Sequence, residues 1–202
     1  MKTPQWLIWA RRLQAIAQAG LEYTDGPYDR ERYIEISSIA AEIAASNTSE
    51  KPEQLKRLFS QETGYATPKL DVRGVVFDGE RILLVQEASD GKWTLPGGWV
   101  DPGDTPHSAV EREILEESGY ETKALEILDI IDRETDGHPT NAWSIWKVFI
   151  RCELIGGSAR PSLETTDIGW FEASTLPPLS VGRTLEHQLE AFFARRLDPP
   201  RP

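Results

Sequence analysis

Apolar and polar positions alternate in two different textures along this chain, and the change falls at Pro68. Before it, apolar residues recur every three or four positions, the period of a helix with one face turned from water. Trp6, Trp9, Leu13, Ile16 and Ala17 form such a stripe, with Thr3-Pro4 as a start signal and Gly20 as a left-handed stop. The turn Thr24-Asp25-Gly26-Pro27 leads to a second helix striped by Tyr33, Ile36, Ala40 and Ile43, ending near Ser46-Asn47. A shorter third helix carries Leu55, Leu58 and Phe59, and Thr63 to Pro68 reads as a linker.

Beyond Pro68 the period shortens to that of strands. Val72–Phe77 and Arg81–Gln86 are β-rich runs split by Asp78-Gly79, a hairpin signal. Lys92–Val100 contains Pro96-Gly97-Gly98, which requires a sharp loop. A helix is expected from about Thr105 to Ser118, stopped by Gly119. Further strands fit Ala124–Ile131, Ser144–Leu154 and Ile168–Phe171, and a closing helix fits Arg183–Arg196. The pattern predicts a helical module over 1–66 and a mixed α/β (α+β) domain over 67–202, a length that allows one full core and a small appendage.

Charge and composition narrow the class. A formal charge of −11 disfavours duplex DNA and anionic membranes as partners. Residues 1–68 hold eight Lys+Arg against nine Asp+Glu, which offers no basic face for DNA. No apolar run approaches the roughly 20 residues that span a bilayer, and the N-terminus lacks the pattern of a signal peptide. One cysteine, Cys152, excludes a disulfide framework, so the expected compartment is the cytoplasm. Cys152 reads as a small buried hydrophobe rather than a nucleophile. His107, His138 and His187 show no metal spacing and read as surface residues.

The candidate chemistry lies between Gly98 and Tyr120. On a helix Glu113, Glu116 and Glu117 share a face, while Ala109, Val110 and Ile114 point elsewhere and can pack on a sheet. Three carboxylates then crowd the C-terminal turns, where the helix dipole is already negative, at about 0.3–1 kcal/mol each. A solvated acidic face is the plain alternative. It leaves these adverse terms with only Arg112 to offset them, whereas a hard divalent cation would remove the conflict. The Gly97-Gly98 loop suits close approach of a backbone carbonyl or a phosphate.

This stretch resembles the Nudix signature, G-x5-E-x7-R-E-U-x-E-E-x-G-U with U a bulky apolar residue. Gly98, Arg112, Glu113, Ile114, Glu116, Glu117 and Gly119 fall at the required spacing. Asp104 replaces the first glutamate, either as helix N-cap or in a direct metal role, and Tyr120 replaces an aliphatic residue as a packing variation. The resemblance implies a Nudix-type α/β/α sandwich that hydrolyses a pyrophosphate bond with Mg²⁺ or Mn²⁺. It implies Glu113, Glu116, Glu117 and the Gly98 carbonyl as metal ligands, with Arg112 orienting the carboxylates by bidentate pairing. Glu164, ahead of Asp167-Ile168-Gly169-Trp170-Phe171, is either a further catalytic acid or an ordinary loop glutamate. Arg73, Gly97 and Trp99 are the candidate substrate contacts.

Further likeness, carried by Trp6, Leu13–Gln18, Tyr28–Tyr33, Glu62–Tyr65 and Leu83–Glu87, is to a Nudix subgroup that includes CDP-choline pyrophosphatase. It implies CDP-choline as substrate, CMP and phosphocholine as products, and a homodimer built with the N-terminal helices. A quaternary ammonium needs aromatic faces, which singles out Trp99 among the seven tryptophans. ADP-ribose or a nucleotide sugar is the alternative small substrate. An RNA end is another, tracked by Arg73, Lys92, Arg133 and Lys147 and betrayed by strong salt dependence. A non-catalytic nucleotide sensor is the reading that the intact glutamate set argues against.

Overall fold

The computed structural model describes residues 3–48 and 50–197. In chain order the elements are α1 (Gln5–Tyr23), α2 (Pro27–Ala45), α3 (Pro52–Ser60), β1 (Lys69–Asp78), β2 (Arg81–Glu87), β3 (Trp93–Thr94), α4 (Pro106–Ser118), β4 (Tyr120–Asp132), β5 (Ile145–Gly157), β6 (Thr165–Phe171) and α5 (Glu186–Arg195). They form two compact units. The described residues up to Pro68 join Thr140–Ser144 in one, and residues 69–139 and 145–197 form the other.

The helical unit closes over Ala10, Ala40, Ala41 and Ala44, small residues that let α1 and α2 approach closely, with Leu55 and Phe59 of α3 completing the core. Gly20 does not stop α1. A Cβ there would lie 2.3 Å from the Tyr33 ring, so the missing side chain makes room for Tyr33 while the helix runs on to Tyr23. Thr3 is not the cap either; Pro4 holds that position with no side-chain bond. The inward face of α1 is Leu7, Ala10, Gln14, Ala17 and Gln18, while Trp9 (54% exposed) and Ile16 (53%) face outward. Gln14 accepts from Ser37 Oγ at 2.9 Å, and Gln18 donates to the carbonyls of Thr63 and Gly64. Those bonds satisfy two amides that the apolar pattern would place outside. Leu58 is likewise exposed beside buried Leu55 and Phe59. Segment 140–144 is fixed here by Arg11, which donates to the carbonyls of Asn141, Ala142 (3.3 Å) and Trp143 (2.8 Å). Trp143 meets Phe59 edge-on, ring centroids 5.5 Å apart.

In the second unit Gly79, at φ +62°, turns the β1–β2 hairpin. β5 inserts beside β1 in parallel, and β4 pairs antiparallel with β5. β2 pairs antiparallel with both β3 and β6. Alternate side chains of the mixed sheet feed two cores. On one face Val72, Val76, Leu83, Val148, Ile150 and Cys152 pack under Ala109, Val110 and Ile114 of α4. On the other, Val75, Ile82, Leu84, Leu95 and Phe149 pack under Leu189 and Phe192 of α5. The result is the expected α/β/α sandwich with a mixed sheet, preceded by helices. Cys152 is buried as expected, and burial pushes its thiol up to about 12. Two edges differ from the pattern. β4 starts at Tyr120, directly after α4, and the chain at 180–184 is a turn, so α5 begins at Glu186.

Candidate active site

The acidic helix is placed by its ends and its apolar face. Thr105 caps α4 by accepting from Ser108 N at 3.1 Å, with Pro106 in the first turn, and Gly119 leaves it at φ +75°. The helix reaches β1 at Gly74, where an added Cβ would stand 2.5 Å from Ile114 Cδ1 and 3.2 Å from Val110 Cγ2. With Ile114 fully buried there, worth roughly 2–3 kcal/mol, the rotation of α4 is set. Glu113, Glu116 and Glu117 are thereby turned toward the loop after β3.

That loop runs along β1. Gly74 N donates to Pro96 O (2.8 Å), Val72 N to Gly98 O (2.9 Å) and Val100 N to Leu70 O (3.1 Å). Gly97, at φ +142°, has no room for a side chain, since a Cβ would sit 2.1 Å from Val72 O. The strained position aims its N–H at Glu117 Oε2, 2.8 Å away. Gly98 lies over Glu113, whose carboxyl would be 2.9–3.1 Å from an added Cβ. The Gly98 carbonyl already accepts from Val72, which leaves one lone pair for a ligand.

Together these residues line an open cleft of about 520 Å³ with Arg73, Glu87, Trp99, Arg112, Glu113, Glu116, Glu117, Glu164 and Arg183 on its walls. Glu117 is buried, and burial lifts its carboxyl to about 8; nearby Arg73 and the Gly97 N–H only partly oppose this. Glu113 is also raised by burial, against the pull of Arg112. Arg112 donates to Glu113 Oε1 (2.8 Å) and Glu116 Oε2 (3.2 Å) through one nitrogen, and to Asp104 Oδ2 (3.2 Å) through another. Asp104 therefore neither caps α4 nor lines the cleft; it anchors Arg112. Tyr120 packs on Trp170 at 5.5 Å and accepts from its indole N–H. Among the described residues no three acidic, histidine or cysteine side chains are already grouped as an ion's ligand shell. Between Glu113 and Glu116 the neutralising charge is Arg112 itself. The donor set fits a hard divalent cation, being carboxylate and carbonyl oxygen beside an under-compensated buried glutamate.

Glu164 sits on the cleft wall at the mouth of β6. It is brought there by Thr165, whose Oγ1 donates to Glu117 O at 2.6 Å. Trp99 is half exposed on the rim. Arg73 reaches the cleft from below. Burial opposes its charge, but Asp71, at 2.7 Å, outweighs that and holds the guanidinium above its ordinary value. Lys147 also bonds Asp71, at 3.0 Å, from the facing position of β5. Burial, helped by Arg73, pushes the Lys147 ammonium down to about 8. Lys147 and Arg133 are thus interior cations and cannot track an RNA strand; of the four residues read that way only Lys92 is exposed. His138 is not a surface residue either: it is buried, with Nδ1 2.8 Å from Val181 O. Sequence reasoning missed Glu87 and Arg183, a pair at 2.8 Å whose members lie 96 positions apart (183 − 87). Only a polar residue ending an otherwise apolar strand hinted at Glu87.

Comparison with known proteins bears on this geometry. Residues 67–192 match the NUDIX domain, and residues 4–59 match a domain described as UDP-X-like, N-terminal oligomerisation. YjhB of Bacillus subtilis (strain 168), a candidate ADP-ribose pyrophosphatase, is 41% identical over 189 residues, covering 94% of this chain and 91% of that one. The crystal structure of a UDP-X diphosphatase superposes with a TM-score of 0.61 at 30% identity, over 96% of this chain and 95% of that one. An ADP-ribose pyrophosphatase from Streptococcus suis 89-1591 gives 0.61 at 39% identity, over 67% and 97%. A domain match across the whole sandwich and full-length relatives lead to one assignment: this chain belongs to the Nudix hydrolases, the pyrophosphohydrolases built on this fold, and carries a UDP-X-like helical domain ahead of the hydrolase.

Proposed function

We propose that this enzyme hydrolyses the pyrophosphate of a nucleoside diphosphate linked to another group, a sugar as in ADP-ribose being the first substrate to test and choline as in CDP-choline the second. The observation that carries the reading is the cleft of α4 carboxylates closed by the Gly97-Gly98 backbone, wide enough for a dinucleotide-sized anion escorted by cations. Full-length relatives named for ADP-ribose and UDP-X favour a sugar. Among the cleft residues only Trp99 is aromatic, which is a poor cage for choline.

Glu113, Glu116, Glu117 and the Gly98 carbonyl would hold Mg²⁺ or Mn²⁺. A cation bound there would supply charge neutralisation at the pyrophosphate and a lowered pKa for a water nucleophile. Arg112 keeps Glu113 and Glu116 in place through its fork of donors, and Glu164, exposed on the wall, is the candidate to accept a proton from water. Purified enzyme should release AMP from ADP-ribose with Mg²⁺ and not with EDTA. Product chromatography over a panel of ADP-ribose, UDP- and GDP-sugars, CDP-choline, dNTPs and a short RNA decides the substrate. Turnover of none of these by folded, metal-loaded protein would sink the reading.

The helical unit supports a homodimer. Trp9, Ile16 and Tyr23, seven residues apart on α1, form an exposed apolar stripe in the region that matches an oligomerisation domain. Light scattering should give twice the chain mass, and Ile16→Glu should shift it to monomer.

A further inference from the structure

Opposite the acidic helix the cleft has a second arm. Glu87 ends β2 where the pairing with β6 shifts register. Its backbone is locked at both ends, N–H to Lys92 O and carbonyl from Gly91 N, each at 2.9 Å. Its side chain is nine-tenths buried, and Oε1 meets Arg183 Nε at 2.8 Å. Oε2 has no partner among the described residues. Arg183 is held with equal care: Nη1 donates to Ser180 Oγ (3.2 Å) and Nη2 to Ser89 Oγ (3.3 Å). A guanidinium has five N–H donors, and these three acceptors leave some for a ligand.

The turn that carries Arg183 is pinned along its length. Ser180 N donates to Trp93 O (2.8 Å), and Thr184 Oγ1 contacts Thr94 Oγ1 (2.9 Å) and accepts from Leu95 N (3.1 Å). His138 holds Val181 O, and Arg133 donates to Gly182 O at 3.2 Å. So many bonds around one half-exposed side chain indicate a preorganised contact, not a fortuitous ion pair.

We propose that Glu87 and Arg183 together read a sugar phosphate: spare Arg183 donors engage a phosphate oxygen, and Glu87 Oε2 accepts from a hydroxyl of the attached sugar. The chemistry is complementary in sign and number. An oxyanion beside a hydroxyl satisfies both members, whereas phosphocholine offers the oxyanion without the hydroxyl and leaves the Glu87 acceptor without a partner on the ligand. This rests on the pyrophosphatase reading above and adds to it the residues that select a sugar.

The test uses Glu87→Gln in the full chain. Arg183 keeps the amide oxygen, so the amide NH₂ turns to the cleft and replaces an acceptor by a donor. Compared with wild type, kcat/KM for ADP-ribose should fall at least tenfold, mainly through KM, while that for CDP-choline changes less than twofold and Tm is unmoved. Equal loss on both substrates, or a rise in the Mg²⁺ needed for half-maximal rate, would overturn the proposal and make Glu87 a framework or metal residue. If wild type turns over no member of the panel, the pyrophosphatase reading fails by itself. Calorimetry then still decides the sugar contact: wild type should bind ribose 5-phosphate more tightly than inorganic phosphate, and Glu87→Gln should not. Absence of that preference in wild type refutes it.

Discussion

Glu117→Gln should separate what the active site costs from what it does. In the metal-free protein Glu117 is a buried carboxylate with one hydrogen bond, from Gly97, and with Glu87 and Glu113 as like-charged neighbours. A glutamine keeps an oxygen for Gly97 and removes the group whose ionisation burial opposes up to about 8. Leaving a buried charged group poorly compensated costs about 1–3 kcal/mol, so the variant should be as stable as wild type or more so without metal. Near 2–4 °C per kcal/mol, the gain in Tm is on the order of 2–12 °C. Magnesium should reverse the order. At tenfold excess over Kd a ligand bound only by the folded state stabilises by about 1.4 kcal/mol, and the variant should lose most of that increment along with roughly 100-fold or more of kcat. Differential scanning fluorimetry with EDTA and with a Mg²⁺ series, beside ADP-ribose turnover, measures all three quantities. A metal-free variant less stable than wild type by over about 1 kcal/mol would refute the reasoning, because the carboxylate would then be a structural asset.

Other changes follow from the same geometry. Gly97→Ala, at φ +142° and against Val72 O, should destabilise the hydrolase unit by roughly 2–4 kcal/mol and abolish turnover; a Tm within 1 °C of wild type would contradict the steric account. Arg112→Lys keeps the charge but cannot bridge Asp104 and Glu113 together, so the Mg²⁺ midpoint of activity should rise several-fold while Tm changes little. Burial lowers the His138 imidazole to about 4 from 6.5, so the unfolded chain binds the extra proton first. His138 neutrality therefore contributes fully above about pH 6.5, and stability should fall by up to about 3 kcal/mol as pH drops toward 4; urea midpoints across pH 4–7 should flatten in His138→Gln. Arg11→Ala frees three carbonyls of 141–143, and hydrogen exchange there and along α1 should quicken while kcat is preserved.

Local features were legible in the sequence and long-range pairings were not. The start near Thr105, the Gly119 stop and the apolar side of α4 are encoded within 15 residues, so the convergence of Glu113, Glu116 and Glu117 was readable from spacing, although the cap falls on Thr105 and not on Asp104. The same holds for the Gly79 hairpin and the Gly97-Gly98 loop. Asp71 and Lys147 meet only because β5 inserts beside β1 in that register, and no local pattern reports it. Arg73, Arg133 and Lys147 therefore looked like surface cations, and the Glu87–Arg183 pair was invisible for the same reason. Apolar periodicity on α1 marked residues that avoid water, but not whether this chain or a second copy covers them. Hence Trp9 and Ile16 were read into the buried stripe, and the buried Gln14 and Gln18 were not.

The placement of 140–144 constrains how the molecule is born. The helical unit is synthesised first, yet it lacks a strip of its own surface until residue 144 of 202 has left the ribosome. By then β1 to β4 and the acidic helix have already emerged, while β5, which must slot between β1 and β4, has not. Neither unit can finish before the other is well advanced, so a stalled or truncated chain ending before Thr140 should present two unfinished bodies to chaperones rather than one finished domain and a tail.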